Sequence, residues 1–326
     1  MTRANSRWIA FVLFGLLARA AHAQEDCDKL FPDLTCDRSG RFAGFEKPIV
    51  QPYLFEDPFI TTGLYPYYVW HQFPESSALE GGEAHVAAAQ IRVAVTDRLA
   101  IIATKDGYMW KRPDNPLLRH TGGWMNLAFG AKYAFYQDRD AGRIASFVLK
   151  YEAASGSTDT FQNEGDGMLM PSIAGAFKLG EVALQGDLGG IWALDSSQSS
   201  SIFYHLYAAY PVAERFTPFV QLSGMHWVDS GDGSRQVELS SFGQTLLGVP
   251  SISIATVESI YGAFEGADVA NLGAVGVSGL DLLTAAVGLH VRLADHVTVS
   301  AAYERAISHH KGIFRQRLTT NIALEF

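Results

Sequence analysis

The chain has 326 residues, 48% of them hydrophobic, and its 34 acidic against 25 basic side chains give a formal charge of −9. That balance excludes the broad basic surface with which proteins neutralise phosphates, so nucleic acid is not an expected partner. After residue 23 no apolar run approaches the roughly 20 residues of a membrane helix, so any passage through a bilayer must use strands.

Residues 1–23 read as a removed signal peptide. Arg3 and Arg7 precede an uncharged run from Trp8 to Ala18, and Ala21-His22-Ala23 makes a small-x-small cleavage site. Cutting before Gln24 removes three arginines and no acid, which moves the charge from −9 to −12. Cys27 follows Gln24-Glu25-Asp26 and is not at the cut, which argues against a lipid anchor. Export, an even cysteine number and short spacing favour a Cys27–Cys36 disulfide, with two free thiols as the alternative; a metal site lacks ligands. No cofactor is indicated. Residues 24–58, rich in Pro, Gly and charge without any sustained period, form a periplasmic tether or plug segment.

From residue 59 the text changes to strand-length segments separated by turn residues. The expected strands are 59–71, 84–95, 99–110, 123–136, 143–153, 167–178, 181–193, 201–211, 215–228, 280–293, 296–308 and 313–326. In "LLTAAVGLHVRLADHVTVSAAYERAIS", Leu283, Ala285, Val287, Leu289, Val291 and Leu293 alternate with Thr284, Ala286, Gly288, His290 and Arg292; Val297, Val299, Ala301 and Tyr303 alternate with Thr298, Ser300, Ala302 and Glu304. That period is 2, not 3.6. Ile91, Val93 and Val95 oppose Gln90 and Arg92; Met125, Leu127, Phe129, Ala131, Tyr133 and Phe135 oppose Asn126, Gly130 and Lys132; Val182, Leu184, Leu188 and Trp192 oppose Glu181, Gln185 and Asp187.

Links near Thr96-Asp97-Arg98, Asp138 to Gly142, Leu179-Gly180, Val212 to Glu214 and Ala294-Asp295 are short. Those at 72–83, 111–122, 154–166, 194–200 and 229–279 are long, and the two kinds alternate apart from the small link at 309–312. Transmembrane barrels have short periplasmic turns and longer external loops, whereas a soluble sandwich has no reason to sort them. The pattern therefore predicts an all-β protein: a closed, antiparallel, up-and-down transmembrane β-barrel of about 12 strands over residues 59–326, with both termini periplasmic. Tyr65, Tyr67, Tyr68, Trp70, Tyr108, Trp110, Trp124, Tyr133, Tyr136, Tyr151, Trp192, Tyr204, Tyr210 and Trp227 lie mostly near strand ends, as an interfacial girdle would require.

With these features in place the chain resembles a bacterial outer-membrane β-barrel. The final strand, with Leu318, Ile322, Leu324 and Phe326 on one face, resembles the signal that barrel-assembly machinery reads. "GGEAHVAAAQIRVAVTDRLAIIATKDGY" and the hairpin from Asp281 to Ser308 resemble the barrels grouped with phenol meta-pathway (MetA-type) outer-membrane transporters. That resemblance implies passage of small, often hydrophobic, molecules and implies outer-membrane lipid, lipopolysaccharide and the assembly machinery as partners.

Alternation points the opposite faces into the lumen. Candidates there are Gln90, Arg92, Asn126, Lys132, Lys150, Glu152, Lys178, Gln185, Asp187, His205, Gln221, His290, Arg292, Glu304, Arg315, Arg317, Asn321 and Glu325. Arg92, Arg292, Arg315 and Arg317 lie within a few strands of the closing seam, where they form either a basic wall that favours anionic solutes or ion pairs with Glu152, Asp187, Glu304 and Glu325 that brace the lumen. The apolar segment 229–279 is expected to fold over or into the barrel mouth.

No G-x-S-x-G, H-E-x-x-H or phosphate-binding glycine loop is present. Ser308 with His309-His310 is the one grouping from which a lipid hydrolase site could be built. Asp159, Glu164, Asp166, Asp229 and Asp232 lack the spacing of a cation loop and read as solvated turn acids. The expected function is a channel or transporter for small, hydrophobic or anionic molecules and not an enzyme; a lipid-modifying hydrolase and a plugged structural or adhesive barrel are the alternatives.

Overall fold

The computed structural model describes Phe42, residues 44–309 and residues 312–326. The expected signal peptide, Cys27, Cys36 and His310 lie outside those residues.

Strands follow the alternating segments closely. They are β1 (Gly63–Gln72), β2 (Gly82–Ala94), β3 (Leu99–Lys105), β4 (Tyr108–Pro113), β5 (Thr121–Trp124), β6 (Leu127–Asp138), β7 (Arg143–Ala153), β8 (Met168–Leu179), β9 (Val182–Ala193), β10 (Ser200–Ala209), β11 (Phe216–Asp229), β12 (Gln236–Glu238), β13 (Ser251–Ser253), β14 (Asp281–Ala294), β15 (Val297–Ala306) and β16 (Gln316–Glu325). Every barrel pairing is antiparallel, and β1 pairs with both β2 and β16, so the sheet has no edge. β3 and β4 both pair with β2 and continue one line, and β5 and β6 do likewise against them. The barrel is therefore closed and 12-stranded.

The two interruptions have local causes. Between β3 and β4 stands Gly107 at φ +101°, where a Cβ would lie 2.4 Å from the Ala87 carbonyl. Only glycine meets both conditions. Between β5 and β6, Met125 and Asn126 are both buried, so two successive side chains turn inward. Met125, expected on the outer face, therefore points inside, while Leu127, Phe129, Tyr133 and Phe135 face out.

The links sort by end. Residues 95–98, 139–142, 180–181, 210–215 and 295–296 join strands at the end where β1 begins and β16 finishes. The opposite end carries 73–81, 114–120, 154–167, 194–199, 230–280 and 307–315. Gly142 and Gly180, at φ +61° and +62°, supply the left-handed positions that two of the short turns need.

Outside, a band of Ile91, Phe129, Leu149, Ile173, Leu188, Leu206, Val220 and Val287 is exposed. The expected girdle is only partly external. Tyr68, Trp110, Trp124, Tyr133, Tyr136, Trp192, Tyr204 and Tyr210 are exposed, but Tyr65, Tyr67 and Trp227 are buried and face inward. In β1 the odd-numbered positions face in, so position near a strand end did not decide their side; parity did.

The core is the barrel interior. Among the described residues, two pieces of chain outside the wall fill it. Residues 44–61, ahead of β1, run inside the short-turn half, where Ile49, Val50 and Phe55 pack on Ala183, Ala209, Ala286, Ala302 and Ala323. The link 230–280 folds back into the long-link half. It carries α1 (Ser241–Leu247), α2 (Ile254–Tyr261) and the β12–β13 hairpin. Its Leu239, Ile254, Val257, Phe264, Leu272 and Val277 join Met109, Met170, Trp227 and Phe314 of the surrounding wall and links in one apolar cluster.

Candidate functional site

A strand presents every second side chain inward, so four neighbouring strands can bring charges from distant sequence to one level. Arg92 on β2 stands opposite Ile102 of β3; Lys132 on β6 stands opposite Ala100 of β3 and Val148 of β7; Lys150 lies one step further along β7. All three cations are buried. Burying a cation in a dry interior is strongly unfavourable unless it is paired and hydrogen-bonded.

The partners come from residues 44–61. Arg92 donates from Nε to Glu56 Oε1 at 2.8 Å and from Nη2 to Oε2 at 2.6 Å. This two-point contact suits the planar guanidinium. Lys132 Nζ donates to Glu56 Oε1 at 2.9 Å, to Asp57 Oδ1 at 3.0 Å and to the Asp57 carbonyl at 2.8 Å. Lys47 completes the group at 3.0 Å from Asp57 Oδ2, and Tyr65 lies against the Arg92 guanidinium, 4.9 Å from ring centroid to Cζ.

The segment has no helix or strand to satisfy its backbone, so the wall does it. Lys150 donates to the carbonyls of Tyr53 and Leu54 at 2.9 and 3.0 Å, Gln90 to Pro52 at 2.6 Å, Gln221 to Val50 at 3.2 Å, and Gln185 to Glu46 at 2.7 Å. Gln51 reaches across the lumen, donating to Glu304 at 2.8 Å and Thr284 at 3.1 Å while its oxygen lies 3.1 Å from His205 Nε2. His205 Nδ1 is 2.5 Å from Asp187, and its ring stacks on Phe55 at 4.8 Å.

The second insert is fastened in the same way. Arg317 on β16 binds Asp268 at 2.7 and 3.0 Å, with Glu304 at 3.7 Å. Burial alone would raise the Asp268 carboxyl, but the Arg317 guanidinium outweighs it and holds the pKa below the ordinary value. Glu265 is raised by burial, against the pull of hydrogen bonds from Leu272 N, Ser199 Oγ, Gly266 N and Ala274 N.

The sequence candidates thus separate. Arg92, Lys132, Asp187, His205, Glu304, Arg317 and Asn321 are buried on the inner face. His290 joins them, 2.8 Å from Tyr207 Oη and 2.7 Å from Ser300 Oγ. Arg292 and Glu325 sit at the short-turn rim, bonded to Glu46 at 2.6 Å and Tyr65 at 3.0 Å. Arg315 departs from expectation: it precedes β16, is half-buried, and pairs with Glu75 at 2.8 Å at the long-link end. No single basic wall therefore spans the seam, and the arginine partners are chiefly insert acids, not the wall acids first considered. On the outer face, Leu318, Ile322 and Phe326 of the terminal strand are exposed. Asp159, expected to be solvated, pairs with Arg119 at 2.5 Å. His309 is exposed in the 307–315 link.

A cavity of about 240 Å³ opens at the short-turn end beside Glu46, Lys47, Asp57, Arg139, Arg292 and Glu325. Deeper among the described residues, cavities lined by Tyr53, Asp268 and Asn271 or by His71, Phe73 and Ile313 hold only about 10 Å³ each. Among the described residues, the two inserts fill the lumen between these cavities.

No family model and no curated protein matches this sequence. In fold, the chain is similar to an outer-membrane channel from Pseudomonas putida F1, with a TM-score of 0.54 and 14% identity over 86% of this chain and 100% of that one. The NanC porin aligns at TM-score 0.45 and 9% identity over 81% of this chain and 98% of its own, and the KdgM porin at 0.42 and 9% over 80% and 99%. The fold is that of an outer-membrane β-barrel.

Proposed function

We propose that this chain is an outer-membrane channel for small molecules in a closed state, with the short-turn end periplasmic and residues 44–61 and 230–280 as its two closures. The exposed apolar band supports a place in lipid, since a closed barrel can satisfy its whole backbone there. The phenol meta-pathway resemblance favours small organic solutes.

One observation carries the reading: the charge of the wall is complementary to that of its inserts. Buried on the strands are six basic residues, Arg92, Lys105, Lys111, Lys132, Lys150 and Arg317, against three acidic ones, Glu152, Asp187 and Glu304. Buried on the inserts are five acidic residues, Glu46, Glu56, Asp57, Glu265 and Asp268, against Lys47 and Arg235. An eight-stranded barrel is filled by its own side chains, whereas a wider one encloses space. Here that space is filled by separable chain of opposite charge, and displacing it would leave a polar, net-basic pore that favours anions.

The test is conductance in planar bilayers for the full chain and for a chain with both closures removed, lacking residues 44–58 and 235–275. The deletion should conduct more, with anion preference in a salt gradient. Absence of current from both would remove the channel reading and leave the plugged structural barrel. Lipid turnover by purified protein, lost in His309→Ala, would instead support the hydrolase.

A further inference from the structure

Resting on the channel reading, we infer that Arg92 and Lys132 form a solute-binding subsite for small organic carboxylates, which the chain's own Glu56 and Asp57 occupy in the closed state.

The wall supplies this site without help from the insert. Arg92 and Lys132 are held on separate strands of a closed sheet, with Ile102 and Ala100 of β3 standing between them by register and Val148 of β7 on the far side of Lys132. Gln90 Oε1 accepts from Arg92 Nη1 at 3.2 Å and the Tyr65 ring lies on the guanidinium, so the fork stays aimed whether or not Glu56 is present. The result is a two-point carboxylate receptor beside an ammonium, next to a small apolar floor of Ala100, Ile102, Val148 and Ala174.

The insert reproduces the matching ligand. Glu56 and Asp57 place carboxylates on both cations, and Ile60, four residues after Glu56, packs on the apolar floor. A molecule with a carboxylate and a compact apolar body would make the same contacts. A neutral analogue would leave two buried cations without counter-charge, which is what an anion-selective site penalises. Asp57 and Ile60 also line the 240 Å³ cavity, so a carboxylate entering there reaches the insert residues that cover Lys132 and the apolar floor.

Sodium benzoate is a suitable probe and benzamide its neutral control, titrated calorimetrically into full-length protein in detergent. Barrel integrity is followed by the heat-dependent gel shift. Glu56→Gln/Asp57→Asn should bind benzoate about tenfold or more tightly than the wild type, because charge-assisted hydrogen bonds are freed for the ligand. Benzamide should show no gain, and adding Arg92→Gln should abolish the benzoate gain. Equal benzoate affinity in variant and wild type, an equal gain for benzamide, or a gain that survives Arg92→Gln overturns the inference. Should the double variant fail to form a barrel, hydrogen exchange of residues 44–61 in the wild type decides: benzoate and not benzamide should accelerate it, and no acceleration at saturating benzoate overturns the site. Neither readout is a current, so a chain that conducts but ignores benzoate loses only this inference, and one that binds benzoate but never conducts loses only the channel.

Discussion

The guanidinium of Arg92 on the barrel wall and the carboxylate of Glu56 in the luminal segment meet at 2.8 and 2.6 Å, both fully buried. Removing one member of such a pair leaves a charge stranded in low dielectric, typically at about 3–5 kcal/mol, and here Lys132 at 2.9 Å would absorb part of that. Arg92→Gln should therefore loosen residues 44–61 before it unfolds the barrel. Hydrogen exchange of that segment should lose about two orders of magnitude of protection, since about 1.4 kcal/mol is a factor of ten. Unchanged protection would show that the carbonyl contacts from Lys150, Gln90 and Gln221 hold the segment alone.

What could be read in the sequence is what strands announce locally. A period of 2 gave twelve strands within a few residues of their ends, because each inward or outward choice is set by its immediate neighbours. Where the ladder breaks, at Gly107 and at Met125-Asn126, the period carried on past the fault and put Met125 on the wrong face. The luminal segment has no period, and its partners lie up to 253 residues away, as for Gln51 and Glu304. Nothing local marks Glu56 as special. A signal existed nonetheless: the inward list held more cations than acids, and that surplus had to be met by acids outside the strands.

The Asp268–Arg317 pair fixes the 230–280 link to β16 and gives it an acid dependence. Because the folded Asp268 carboxyl is depressed, its contribution is present above the ordinary aspartate range and is lost as pH falls through the lower folded value. Glu265, raised by burial, has the opposite slope, losing its contribution as pH rises through its folded value. Asp268→Asn should therefore make the link more protease-sensitive at neutral pH, while wild type and variant should converge once pH has fallen through the depressed Asp268 value. A constant difference between them at all pH values would show that charge is not what fastens the link.

Gly288 tests whether the interior is filled by shape as well as charge. It pairs with Phe219 across β11 and β14, and a Cβ there would lie 2.2 Å from the Phe219 ring, which itself stacks on His290 at 4.5 Å. Gly288→Val must push that ring off His290 and out of contact with its neighbours. Overpacking of this kind costs about 1–3 kcal/mol, so the temperature of the gel-mobility shift should fall measurably. A Gly288→Val barrel as heat-resistant as wild type would mean that Phe219 has room to turn.

Ile173, 55% exposed at the middle of β8 and flanked by Phe147 and Leu188, separates lipid from water as the medium outside the barrel. Its side chain touches nothing in the lumen, so Ile173→Arg leaves the inserts and their ion pairs intact. In a bilayer an arginine at mid-strand costs about 2–4 kcal/mol. In water the same change is close to neutral, since surface substitutions usually stay within about 0.5 kcal/mol. Urea titration of folding into lipid vesicles should therefore show Ile173→Arg destabilised by that larger amount, whereas Gln137→Arg, near the short-turn rim, should lie within about 1 kcal/mol of wild type, as the depth dependence requires. Equal midpoints for Ile173→Arg and wild type would place the apolar band against something other than lipid and return the barrel to an aqueous compartment.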